Sequence, residues 1–260
     1  MSDRKLLPGK FVWFEHVSHN TKKAQEFYAE VLGWNVKPFP LGDTAYEMIL
    51  TGDTWDTMIG GYRRPNGNGE PPHWIATASV EDVDAAVNVA AANGGKVVEA
   101  PSDLQGVGRV ARIADPQGAE LGLLTDARGD KPDAPPPLGG WLWNELHTTD
   151  TAKALSFYEK VIGFVHRSMD MGPAGIYHVL SQGGVDRGGV TAELPTGVRP
   201  HWLPYVNVGD VDVTIGRAKK HGANILVPPN DIPGIGRFGV LADPLGGVLA
   251  VMKLLAREKQ

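Results

Sequence analysis

The chain repeats itself, and that constrains its fold more than any other feature. Residues 11–34, FVWFEHVSHNTKKAQEFYAEVLGW, lie over residues 141–164, WLWNELHTTDTAKALSFYEKVIGF, at an offset of 130. Trp13/Trp143, Glu15/Glu145, Lys23/Lys153, Phe27/Phe157, Tyr28/Tyr158 and Gly33/Gly163 are identical pairs. After a small gap the offset becomes 128, with Pro72-His73-Trp74 over Pro200-His201-Trp202, GVGR (106–109) over GIGR (234–237), and Asp115-Pro116 over Asp243-Pro244. A duplication covering nearly all of 260 residues calls for one structure built twice. The stretch DARGDKPDAPPPLGG (126–140) has the Pro, Gly and charge content of a linker. The expected division is domain one over 1–127, linker 128–138 and domain two over 139–260.

Each copy divides again. An alternating strand near 11–17 leads to a helix near 20–32, where Ala24, Phe27, Tyr28, Val31 and Leu32 form one apolar stripe and Gly33 ends it. Residues 73–80, HWIATASV, lead to a second helix near 82–93, with Asp82 as N-cap and Gly94-Gly95 as the stop. Short strands separated by turn residues follow each helix. The unit of strand, helix and several strands therefore occurs four times, at about 11–70, 73–125, 141–199 and 201–253.

This arrangement of βαβββ modules, two per domain, resembles the vicinal oxygen chelate superfamily, which contains glyoxalase I, extradiol dioxygenases and the bleomycin and fosfomycin resistance proteins. The residues that carry the resemblance are the two openings of strand, capped helix and FY…GW or FY…GF, the helix starts VEDVDAA and VGDVDV, and the turns DPQG and DPLG before a last apolar strand. WxEL with a following Asp-Thr and FY is similar to the tandem-domain glyoxalase-like proteins of bacteria. The resemblance implies an α+β fold, two tandem domains of half-open barrel sheets with helices outside, and a small-molecule cleft.

It also implies a divalent metal, with ligands from the first strand of each module and from the last strand. The implied positions fall on Trp13, Ile75 and Gly122 in copy one and on Trp143, Leu203 and Ala250 in copy two. None of these side chains ligates a metal. No cofactor is therefore expected. The alternative is a displaced site, because Glu15, His73 and Glu120 each lie one pleat step from a vacant position; copy two keeps Glu145 and His201 but has Val248.

The stretch WFEHVSH (13–19) is dense in ligating side chains, but alternation splits it. Trp13, Glu15 and Val17 share one face of the strand, and Phe14, His16 and Ser18 share the other. His16 and His19 are expected at the surface or at the helix start. In copy two Trp143, Glu145 and His147 form one wall, and a carboxylate beside indole and imidazole is suited to acid–base work. Glu145, His147 and Glu15 are the candidate catalytic residues. Trp143, His201, Arg237, Tyr177, Trp13, His73 and Arg109 are the candidate ligand-binding residues. Each has a structural reading as well: His73 and His201 as strand-end hydrogen-bonders, Arg109 and Arg237 as partners of turn carbonyls or of Glu15 and Glu145. Asp115 and Asp243 are expected to form turns.

The 25 basic and 30 acidic residues give a net charge of −5 with no basic run, so nucleic acid is not an expected partner. The absence of cysteine removes thiolate chemistry and disulfides. No apolar run approaches a membrane span, and a soluble cytoplasmic location is expected. The two domains are expected to pack on each other in a monomer. Three functions fit: a metal-independent glyoxalase-like protein acting on a small carbonyl or aromatic compound, a metal-dependent lyase or dioxygenase with displaced ligands, and a sequestering protein that binds without turnover.

Overall fold

The computed structural model describes residues 5–41, 44–67, 69–172 and 175–256. Four times, one strand leads through a capped helix to three more strands. Module one comprises β1 (Phe11–Val17), α1 (Thr21–Leu32), β2 (Asn35–Leu41), β3 (Thr44–Leu50) and β4 (Met58–Arg63). Module two comprises β5 (His73–Ser79), α2 (Val83–Ala92), β6 (Lys96–Leu104), β7 (Gly108–Ala114) and β8 (Glu120–Asp126). Module three comprises β9 (Trp141–His147), α3 (Thr151–Ile162), β10 (Val165–Asp170), β11 (Ile176–Gln182) and β12 (Val185–Thr191). Module four comprises β13 (His201–Asn207), α4 (Val211–Lys220), β14 (Asn224–Ile232), β15 (Gly236–Ala242) and β16 (Val248–Leu254).

The helices start where their caps dictate. Asn20, Asp82, Asp150 and Asp210 each accept, through the side chain, the backbone N–H three residues on, at 2.9–3.1 Å. Helices α1 and α3 end at Gly33 and Gly163, whose φ values of 71° and 80° are left-handed and suit glycine. Among the described residues no helix is long and apolar enough to cross a membrane.

The strands of modules one and two form an eight-stranded sheet in the order β2-β3-β4-β1-β5-β8-β7-β6. Those of modules three and four form a second, β10-β11-β12-β9-β13-β16-β15-β14. Both are open sheets and not closed barrels, and the two sheets divide the chain at the linker. Packing groups the chain differently. One compact unit contains Met1–Trp13, Ile75–Asp133 and Trp143–Leu203; the other contains Phe14–Trp74, Ala134–Leu142 and Pro204–Gln260. Each unit thus takes one module from each half of the duplication.

The first unit packs α2 on α3. Below them Trp202 Nε1 donates to the Tyr158 hydroxyl (3.0 Å), which donates to Asp115 Oδ2 (3.3 Å). In the second unit α1 packs on α4. There Trp74 Nε1 donates to Tyr28 (3.1 Å) and Tyr28 to Asp243 Oδ2 (2.9 Å). The other oxygen of each aspartate holds its turn, Asp115 Oδ1 accepting from Gln117 and Ala119 and Asp243 Oδ1 from Leu245, Gly246 and Gly247. The two aspartates are turn formers as expected, and they also anchor a buried tyrosine.

His16 contradicts its expected surface position. It is fully buried, with Nε2 2.7 Å from Asp243 Oδ2. The face of β1 that carries Phe14 and His16 is the one covered by α1, and the imidazole lies edge-on to Tyr28. His19 is exposed as expected. Copy two has Leu146 where copy one has His16, and the two aspartates respond oppositely. Burial pushes the Asp115 carboxyl up. Burial also acts to raise Asp243, but His16, the turn N–H groups and Tyr28 outweigh it and hold that carboxyl below its usual range.

Candidate functional site

In β9 the even positions Asn144 and Leu146 are buried, while Trp143, Glu145 and His147 stand together on the other face, half-buried. Strand β12 lies parallel beside it, with Gly189 opposite Glu145 and Thr191 opposite His147. A Cβ on Gly189 would collide with the Tyr177 hydroxyl, so the glycine makes room for that ring to cross the strand. Trp143 Nε1 donates to the Tyr177 hydroxyl at 2.8 Å. Tyr177 is also hydrogen-bonded to Glu145; burial and the Glu145 charge together push its ionisation far above the usual range, so it stays protonated.

The carboxylate then meets an imidazole. Glu145 Oε1 lies 2.8 Å from His147 Nε2, with 12% and 14% of the side chains exposed. When the ring is protonated this contact is an ion pair. His147 Nδ1 lies 2.5 Å from the Glu193 carbonyl, which can only accept, so Nδ1 carries a proton. A neutral ring would then present its Nε2 lone pair to the carboxylate. Burial acts to lower the His147 pKa, but Glu145 and the Glu193 carbonyl outweigh it and raise it. His201 stacks on His147 with centroids 5.3 Å apart and planes 7° from parallel, and donates Nδ1–H to the Arg199 carbonyl at 2.9 Å. Burial and the neighbouring His147 lower its pKa, so one ring of the stack is readily charged and the other is not.

Trp143, Glu145, His147, Tyr177 and His201 therefore come together. Copy one is differently wired. Glu15 accepts from the Tyr46 hydroxyl at 2.7 Å, and its other oxygen lies 3.9 Å from Arg63, a residue replaced by Thr191 in copy two. Val17 takes the place of His147. Trp13 is half-buried on β1, and His73 holds the Pro71 carbonyl at 2.8 Å as His201 holds that of Arg199. Arg109 and Arg237 turn toward the helices and not toward Glu15 or Glu145. Arg109 is paired with Asp84 and Asp103, and Arg237 with Asp212 and Asp231, tying the first turns of α2 and α4 to neighbouring strands. Sequence reasoning missed the burial of His16 and the hydrogen bonds by which Tyr28 and Tyr158 reach Asp243 and Asp115. The usable signal was Leu146, whose apolar character at the position of His16 marks that strand face as interior.

Comparison with known proteins places the chain in a family. The Glyoxalase/Bleomycin resistance protein/Dioxygenase superfamily matches residues 10–123 and 143–251, and the chain belongs to it. It is 34% identical over 243 residues to the Mycobacterium tuberculosis protein named "Putative glyoxylase CFP32", covering 93% of both chains. It is 28% identical over 268 residues to the anthracycline biosynthesis protein DauV of Streptomyces sp., covering 96% of this chain and 95% of that one. A Mn(II)-bound glyoxalase from Novosphingobium aromaticivorans shares the fold, with a TM-score of 0.65 at 20% identity over 95% of this chain and 82% of that one.

The divalent metal implied by the resemblance has to be tested against the side chains present. Trp13, Ile75, Gly122, Trp143, Leu203 and Ala250 offer an ion nothing. Of the displaced candidates, Glu15 is held by Tyr46, Glu120 lies 3.3 Å from Arg112, and His73 lies 3.5 Å from Glu70. Glu145, His147 and His201 are a better set chemically. However, an imidazole lone pair lies in the ring plane, and two stacked planes only 7° from parallel cannot direct their lone pairs to one ion about 2.1 Å away. Among the described residues no group of three or more His, Asp or Glu side chains is arranged to hold an ion. The residues present do not fit the metal.

Proposed function

We propose that this protein binds a small planar organic molecule, an aromatic or unsaturated carbonyl compound, against the sheet face carrying Trp143, Tyr177, Glu145, His147 and His201, and that it does so without a divalent metal. The observation that carries the reading is the 2.8 Å contact between Glu145 and His147, a carboxylate and an imidazole that can share a proton beside two aromatic side chains. Glu145 can accept a proton from an acidic C–H or O–H of the ligand, and His147 can donate to a carbonyl oxygen, so a proton can leave one atom of the ligand and return to another with no net change. Tyr177 holds Glu145 in place, and Trp143 holds Tyr177. Copy one lacks this capacity, since Arg63 faces its carboxylate and a valine replaces the imidazole. The name of the Streptomyces relative makes fused-ring aromatics the first compounds to screen. The same reading takes the chain as a cytoplasmic monomer with no nucleic-acid partner.

Chelator-treated protein is screened by thermal shift against fused-ring aromatics, aldehydes, thiol hemiacetals and catechols, and hits are assayed for turnover. Turnover marks an isomerising enzyme; binding without it marks a sequestering protein. Either way His147→Ala is expected to weaken binding by about 1–3 kcal/mol, the penalty for leaving a buried partner unsatisfied, while Glu15→Gln binds like wild type. Loss of the ligand in Glu15→Gln but not in the copy-two variants, or binding only after metal is added, overturns the proposal.

A further inference from the structure

The hairpin that supplies Tyr177 has a second face. Across β10 and β11, Tyr177 stands opposite Met169 and His178 opposite Ser168, and His166 lies one pleat step before Ser168. Cross-strand partners point to the same side, so His166 and His178 share the face turned away from Tyr177. Their ring centroids are 5.7 Å apart and their planes cross at 81°. The Ser168 hydroxyl lies 2.9 Å from His178 Nδ1; when Nδ1–H donates to it, Nε2 keeps its lone pair.

We propose that His166 and His178 form a two-imidazole site for a borderline divalent transition ion, Cu²⁺, Ni²⁺ or Zn²⁺, clipping the edge strand β10 to β11, with water completing the coordination. Geometry distinguishes this pair from the stacked His147 and His201. Planes that cross near a right angle let two in-plane lone pairs meet at one point. An ion about 2.1 Å from a ring nitrogen is about 3.2 Å from the ring centre, so two ligating rings at a tetrahedral angle have centroids about 5.2 Å apart. The observed 5.7 Å differs by about half an ångström, within reach of small side-chain rotations on an exposed strand. Ser168 takes the outer-shell role of orienting a ligating ring. In copy one the corresponding residues are Val36 and Glu47, which cannot form the site.

The site is independent of the proposed cleft. It predicts that metal carried by the protein belongs to this hairpin. The test is titration of untagged, chelator-treated protein with CuCl₂, NiCl₂ and ZnCl₂ by calorimetry, with melting temperature as a second readout. Wild type is expected to show one strongest event per chain, ordered Cu²⁺ over Ni²⁺ over Zn²⁺. His166→Gln and His178→Gln, both on an accessible hairpin, should each weaken it at least tenfold and abolish the metal-induced rise in melting temperature. His147→Ala and His73→Ala should leave it unchanged. Absence of binding in wild type, equal binding in the two Gln variants, or loss in His147→Ala overturns the site.

Discussion

Replacing His16 with leucine, the residue copy two carries at the same place, tests how the second unit tolerates a buried charge. His16 and Asp243 are both fully enclosed and 2.7 Å apart. Removing one member of such a pair costs about 3–5 kcal/mol, because the other is left charged in the interior. Asp243 retains Tyr28 and three turn N–H groups, so we place the loss at the lower end, about 3 kcal/mol near pH 7. For a chain of this size that lowers the melting temperature by roughly 6–12 °C.

The pH dependence is more specific than the magnitude. In wild type the Asp243 carboxyl is held below its unfolded value, so its contribution is present above about pH 4 and is lost as pH falls through the folded value. In the variant the carboxyl should behave like that of Asp115, which burial raises; a raised carboxyl stabilises below about pH 4 and loses that contribution as pH rises through its folded value. The gap between wild type and His16→Leu should therefore widen from about pH 3.5 to pH 7 in thermal melts followed by circular dichroism. A gap independent of pH, or a variant that melts with wild type near pH 7, would refute the assignment.

His147→Ala should also destabilise in a pH-dependent way, with the opposite sign. Its folded pKa is raised, so the stability it contributes is full below about pH 6.5 and lost as pH rises through the folded value, and denaturant titrations of wild type and variant should converge in alkali. Gly189→Ala should drive the Tyr177 ring off Glu145, removing the ligand and changing the fluorescence of Trp143, while Gly216→Ala, where an added Cβ meets nothing within 4 Å, should do neither. Sedimentation velocity should give a single monomeric species; a concentration-dependent dimer would count against the single-chain reading.

The duplication and its helix caps were legible because they depend on local rules: Asn20, Asp82, Asp150 and Asp210 each announce a helix start, and Gly33 and Gly163 an end. The wall of Trp143, Glu145 and His147 was legible for the same reason, since alternation fixes which side chains share a strand face. His16 was misread because alternation gives two faces without saying which one a helix covers. The partners of Arg109 and Arg237 were misplaced because Asp84 and Asp212 reach them from distant sequence. Pairing of module one with module four in one unit, and of two with three in the other, leaves no mark on any single segment.

The most direct measurement is a crystal structure of the chain soaked with the strongest binder from the screen. The ligand is expected on the face of β9, with a ring against Trp143 or the His147–His201 stack and a polar atom within hydrogen-bond distance of Glu145 or His147. A ligand seated instead beside Trp13 and Glu15, or bound through a metal ion, would contradict the central claim.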